Sequence, residues 1–104
     1  MTEINFNAIK LTQALVKCRS ITPEDDGALL VVQDHLISLG FNCTPLSFSG
    51  NGSYEVKNLF ATIGSEGPHL AFAGHTDVVP PGNESSWKHP PFGAIIENDK
   101  LFGR

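Results

Sequence analysis

The sequence predicts an α/β unit in which two helices pack on a mixed sheet. Three observations carry this: helical spacing of apolar residues up to Leu39, a change to short strand-like runs from Phe41, and Leu70-Ala71-Phe72-Ala73, apolar at every position. The first helix places Leu11, Ala14, Leu15 and Cys18 on one face behind Ile4 and Phe6, with Asn5 or Asn7 as N-cap. The second is predicted to start at Thr22, because Pro23 follows at a first helical position and Asp25 stands where an acid meets the positive helix end. Its inward stripe is Leu29, Val32, Leu36 and Leu39, and Gly40 supplies a residue without a Cβ at the C-terminal cap. Phe41, Cys43, Leu46 and Phe48 then read as a strand interrupted at Pro45, hence an edge or irregular strand. A Ser-Gly-Asn-Gly-Ser turn at 49–53 leads to a second strand over Tyr54 to Ile63. The uninterrupted apolar run at 70–73 predicts a central strand covered on both faces. After the turn-rich 80–86 stretch, Ala94-Ile95-Ile96 and Leu101-Phe102 flank Asn98-Asp99 as a hairpin, giving four or five strands in all.

Composition narrows the function. The chain has 104 residues, seven Lys and Arg against eleven Asp and Glu, and a formal charge of −4. Without a basic cluster, a nucleic acid is not the expected partner. No run of about 18 apolar residues offers a membrane span, and no signal peptide is legible, so a soluble cytoplasmic protein is expected. Cys18 and Cys43 lack metal-type spacing and read as reduced, buried thiols. The sequence stops at Phe102-Gly103-Arg104 without a helix to cover the sheet, so residues 1–104, with no internal boundary, are expected to be the N-terminal portion of a larger, here truncated, domain.

The chemistry-bearing residues follow the central run. In extended backbone, residues two apart project to the same side, so His75 and Asp77 of Gly74-His75-Thr76-Asp77 meet at the strand's C-terminal end. Ligand sites of open α/β sheets collect there. A metal-binding histidine usually donates its second ring N–H to a carboxylate or carbonyl, which His-x-Asp provides. Gly74 is expected to let the backbone bend or be approached closely. By itself the tripeptide is a weak signal, and a loop histidine hydrogen-bonded locally is the reading it favours. His35 reads as a surface residue of the second helix, His69 lies at the far end of the strand, and His89 is a loop histidine at a possible site rim. Trp87 and Phe92 read as loop anchors, and Glu24, Asp25 and Asp26 as helix-start acids. No nucleophile elbow, phosphate loop, CxxC pair or HExxH occurs.

Lys57-Asn58-Leu59-Phe60-Ala61, the stretch Gly67 to Pro80, Trp87, Pro91-Phe92 and Leu101-Phe102-Gly103-Arg104, with Ser20-Ile21-Thr22-Pro23-Glu24-Asp25 upstream, together resemble the co-catalytic di-zinc family of carboxypeptidases, aminoacylases and deacylases. The likeness covers nearly the whole chain. It implies the N-terminal part of a zinc-peptidase-type catalytic domain. It also implies that His75 ligates one zinc and that Asp77, counted with the catalytic residues, orients His75. Two zinc ions per full-length subunit are implied, one replaceable by cobalt, with a small acylated amino acid as substrate and a homodimer as assembly. The bridging aspartate, the paired glutamates, the further ligands and the dimerisation domain of that family have no counterpart in this chain, which is therefore expected to be inactive by itself. Deacetylase and dipeptidase members share these features, so the acyl group stays open. A non-catalytic folded module remains the alternative from another class.

Overall fold

The computed structural model describes residues 7–104. The expected contributions of Ile4, Asn5 and Phe6 lie outside the described residues. Helix α1, Ala8–Val16, is capped as expected by Asn7, whose Oδ1 accepts from Lys10 N at 3.0 Å. Leu11, Ala14 and Leu15 are half-buried, and Cys18, just past the helix, lies with its Sγ 3.4 Å from Ala14 O. Neither cysteine is disulfide-bonded, and both are half-buried.

Helix α2 spans Ala28–Ser38 and does not start at Thr22. The reason is competition for Thr22: its N–H donates to Val78 O (3.1 Å) and its hydroxyl to Asp77, so neither serves a helix end. Asp25 takes the capping work instead, its Oδ2 accepting from Gly27 N (3.1 Å) and its Oδ1 from Leu29 N (3.2 Å). Gly27 sits at φ 83°, the left-handed conformation that brings the chain into the first turn. The Thr22–Pro23 peptide is cis. At the other end the expectation for Gly40 holds. It adopts φ 95°, its N–H donates to Ile37 O, and Phe41 N–H reaches back to Leu36 O, each at 3.0 Å, the paired bonds of a Schellman cap.

Strands β1 (Asn42–Phe48) and β2 (Val56–Thr62) form an antiparallel ribbon with Asn42 opposite Thr62 and Phe48 opposite Val56. The expected break at Pro45 is absent: Pro45 stands opposite Leu59 inside a continuous ladder. A two-stranded ribbon consists of edge strands, which is where a residue lacking an N–H is tolerated. The connection turns at Asn51 (φ 52°) and Gly52 (φ 75°). Strands β3 (Ile95–Glu97) and β4 (Lys100–Phe102) form the expected hairpin, with Asn98 and Asp99 at φ 51° and 61° as a primed turn requires.

Among the described residues no mixed sheet forms. The two ribbons are separate antiparallel sheets, and the only parallel pairing among the described residues is an isolated bridge between Ile21 and Val78. Residues 70–73 are not a strand, and Leu70 and Phe72 are 83% and 91% exposed. No described strand pairs with residues 70–73. Among the described residues the architecture is therefore a small α/β arrangement of two helices and two hairpins.

Among the described residues, full burial is confined to Ser20, Ala28, Pro91 and Ala94. The α2 stripe of Leu29, Val32, Leu36 and Leu39 is half-buried, packed toward α1 and the β1–β2 ribbon. Helix α1 rests on the 91–94 turn and the end of β4, with Gln13 Nε2 donating to Ala94 O at 3.0 Å. Trp87 and Phe92 act as the anchors expected: Trp87 Nε1 donates to Pro81 O at 3.0 Å, and the Arg19 guanidinium lies 4.4 Å over the Phe92 ring. Arg19 also pairs with Glu84 (3.3 Å), tying the end of α1 to the short 3-10 turn Glu84–Ser86. No described helix is long and apolar enough to cross a membrane.

Candidate metal-ligand site at His75

Residues 74–79 get their shape from a splint, the segment Ser20–Thr22, which runs alongside Thr76–Val78. Ser20, 2% exposed, donates its hydroxyl to Thr76 O at 2.8 Å. Val78 N–H donates to Ser20 O (2.9 Å) and Thr22 N–H to Val78 O (3.1 Å), so the two segments alternate donor and acceptor. Gly74 contributes less than expected. Its φ is outside the left-handed region, and a Cβ there would meet nothing within 4 Å.

On this support His75 and Asp77 come together as the i, i+2 spacing predicts. His75 Nδ1 lies 3.0 Å from Asp77 Oδ1 and 2.9 Å from Asp77 O. Both neighbours are acceptors only, so in the neutral ring Nδ1 carries the proton and Nε2 carries the lone pair. The His75 side chain is 82% exposed, and Asp77 is 48% exposed. Thr22 Oγ1 donates to the other carboxylate oxygen, Asp77 Oδ2, at 2.5 Å. That hydrogen bond is the main cause holding the Asp77 carboxyl below its ordinary range. Desolvation opposes it, and the His75 hydrogen bond and charge add to the lowering.

Thr22, His75, Asp77, Val78, Val79 and Arg104 line a shallow cavity of about 270 Å³. Arg104 is fixed there by two backbone carbonyls, with its N–H on Pro91 O (2.8 Å) and its Nε on Val79 O (3.1 Å). The other histidines are elsewhere. His35 is half-buried on α2, and His69 is exposed ahead of the apolar run. His89 is 19% exposed with Nε2 2.5 Å from Glu97 Oε2, and its ring meets Phe102 edge-on at 4.7 Å. It belongs to the β3–β4 hairpin and does not line the His75 cavity.

The donor chemistry at His75 fits one ligand's share of a zinc site: a neutral imidazole with its second nitrogen tied to a carboxylate. Among the described residues no group of three or more His, Cys, Asp or Glu side chains converges on a metal position. A catalytic zinc takes about three protein ligands, so these residues fit part of a site. Sequence reasoning missed Ser20, Thr22 and Arg104 as neighbours of His75. Thr22 lies 55 positions from Asp77, and its local context, Thr-Pro followed by acids, reads as a helix start.

No protein-family model matches the chain. It is 46% identical over 98 residues, 94% of its length, to a succinyl-diaminopimelate desuccinylase of Bradyrhizobium sp. (strain ORS 278). The match spans 26% of that relative, so the chain corresponds to about a quarter of the relative's length. The chain is thus similar, over nearly its whole length, to about a quarter of a succinyl-diaminopimelate desuccinylase.

Proposed function

We propose that the chain is the N-terminal portion of the catalytic domain of a zinc-dependent amidohydrolase. In full-length form the enzyme cleaves the amide of N-succinyl-LL-2,6-diaminopimelate to succinate and LL-diaminopimelate, a step toward lysine and cell-wall precursors. On this reading each subunit takes two zinc ions, one replaceable by cobalt, in a cytoplasmic homodimer that binds neither nucleic acid nor membrane. The name of the relative supports the substrate. The observation that carries the chemistry is the His75 ring, with Nδ1 held against two oxygens of Asp77 and Nε2 left to coordinate.

When bound, zinc supplies a Lewis acid for the amide carbonyl and acidifies a water toward a pKa of about 7. His75 offers Nε2 as a neutral ligand. Asp77 holds the ring in the tautomer that leaves this lone pair available, and its negative charge makes the imidazole a stronger base toward the metal. Protonation of His75 competes with ligation, so metal occupancy falls as pH drops. Water is added across the C–N bond: the acyl carbon gains the oxygen, and the departing amine takes a proton.

The test is His75→Ala in the full-length protein. Most of the succinyl-substrate turnover and one zinc per subunit are expected to be lost, read by a hydrolysis assay and metal analysis. Unchanged turnover overturns the assignment. Faster hydrolysis of N-acetylornithine than of the succinyl substrate transfers the reading to a deacetylase.

A further inference from the structure

We propose that Thr22 is a positioning residue for His75, acting through Asp77; the inference rests on the reading of His75 as a metal ligand. A carboxylate held at one oxygen still turns about its Cβ–Cγ bond. Asp77 is held at both: Oδ2 takes the Thr22 hydroxyl at 2.5 Å and Oδ1 takes His75 Nδ1 at 3.0 Å. The hydroxyl has a single proton and two acceptors in reach, Asp77 Oδ2 at 2.5 Å and Val78 O at 3.3 Å. The shorter, charge-assisted bond takes it.

The donor is itself delivered from fixed backbone. Thr22 follows the Ile21–Val78 bridge, its N–H is bonded to Val78 O, and Ser20, two residues earlier, is buried and bonded to Thr76 O. Its β-branched side chain further limits the rotamers available to the hydroxyl. No helix-capping role competes, because α2 begins at Ala28 and the N–H groups there are served by Asp25. The relay Thr22–Asp77–His75 thus runs from the splint to the ring and sets which imidazole nitrogen faces the metal.

The experiment compares wild type, Thr22→Val and Thr22→Ser in the full-length protein, labelled with [15N]histidine and freed of metal, with His75→Gln assigning the ring signals. Spectra are taken at about pH 8, where an ordinary histidine is neutral. Wild type and Thr22→Ser are expected to show the Nδ1–H tautomer of His75. Thr22→Val is expected to show a mixture of tautomers and a zinc affinity lower by about tenfold, the lower end of what loss of an outer-shell partner costs. Wild-type tautomer and affinity in folded Thr22→Val overturn the inference.

If Thr22→Val does not fold, the wild-type Thr22 hydroxyl proton decides. A downfield, slowly exchanging signal close to the Asp77 side chain supports the relay, and a freely exchanging one refutes it. Zn²⁺ that leaves the wild-type His75 ring signals unmoved, while Thr22→Val still changes the tautomer, defeats the metal reading and keeps the relay. A zinc-shifted ring with a tautomer indifferent to Thr22 does the reverse.

Discussion

Asp77→Asn separates two things that Asp77 does for His75, supplying an acceptor in the right place and supplying a negative charge. The amide keeps an oxygen that can face Nδ1, now 3.0 Å from Oδ1, if its NH₂ turns toward Thr22. The Thr22 hydroxyl then swings its proton to Val78 O, already within 3.3 Å, and accepts from the amide. Geometry survives while the charge is lost. Asp77→Ala removes both, leaving Nδ1 only the backbone oxygen of residue 77 at 2.9 Å. Loss of an outer-shell partner typically costs 10–100-fold in metal affinity, so Asp77→Asn is expected near about tenfold and Asp77→Ala near about 100-fold. Those factors correspond to about 1.4 and about 2.8 kcal/mol. The assay is competition for zinc against a chromophoric chelator in the full-length protein, at one fixed pH because protons compete with the metal for imidazole. Wild-type affinity in Asp77→Ala would mean that the backbone carbonyl alone orients the ring. Equal losses in the two variants would mean that only the charge matters and the carboxylate's placement does not.

Two further outcomes follow from the same neighbourhood. Gly103→Ala would place a Cβ inside the envelope of Val16 Cγ1 and 3.3 Å from Pro91 O, where β4 crosses α1 just before Arg104. Overpacking of this kind costs about 1–3 kcal/mol, read as a lower urea midpoint, and Val16→Ala in the same chain is expected to recover part of it; a midpoint unchanged in Gly103→Ala refutes the contact. The lowered Asp77 carboxyl contributes stability that is present above its ordinary unfolded-state value and is lost as pH falls through the lower folded one. Thr22→Val removes the largest cause of that lowering, so its stability is expected to decline less steeply on acidification than that of wild type. Parallel acid-unfolding curves would contradict this.

The sequence was legible wherever a residue's need is met by near neighbours. Asn7, Gly40 and the Asn98-Asp99 turn each satisfy backbone groups within a few positions, and each stands where its chemistry places it. The His75–Asp77 pair is likewise local, two residues apart, and so could be read from spacing alone. Thr22 marks the boundary of this legibility. Its hydroxyl and N–H suit a helix N-terminus just as well as a distant carboxylate and carbonyl, and the choice between them is made by tertiary contact with residues 77 and 78. Once Thr22 is committed there, the capping role moves to the nearest acid that can serve it, Asp25, and the helix starts later.

The apolar run at 70–73 illustrates a different limit. Periodicity reports what a segment requires, here apolar cover on both faces, and not whether the cover is at hand. Leu70 and Phe72 remain 83% and 91% exposed, and no described strand pairs with this segment. The expectation that His75 would be placed by the end of a central strand therefore gives way to a different support. The ring is aimed by a carboxylate two residues on, and the backbone of that carboxylate is held by Ser20 and Thr22 from the other side. An imidazole carried on an unpaired strand end would share the freedom of that strand. Carried on the splint, the ring is held in place among the described residues without the sheet, and the geometry at His75 rests on residues 20–22 more directly than on residues 70–73.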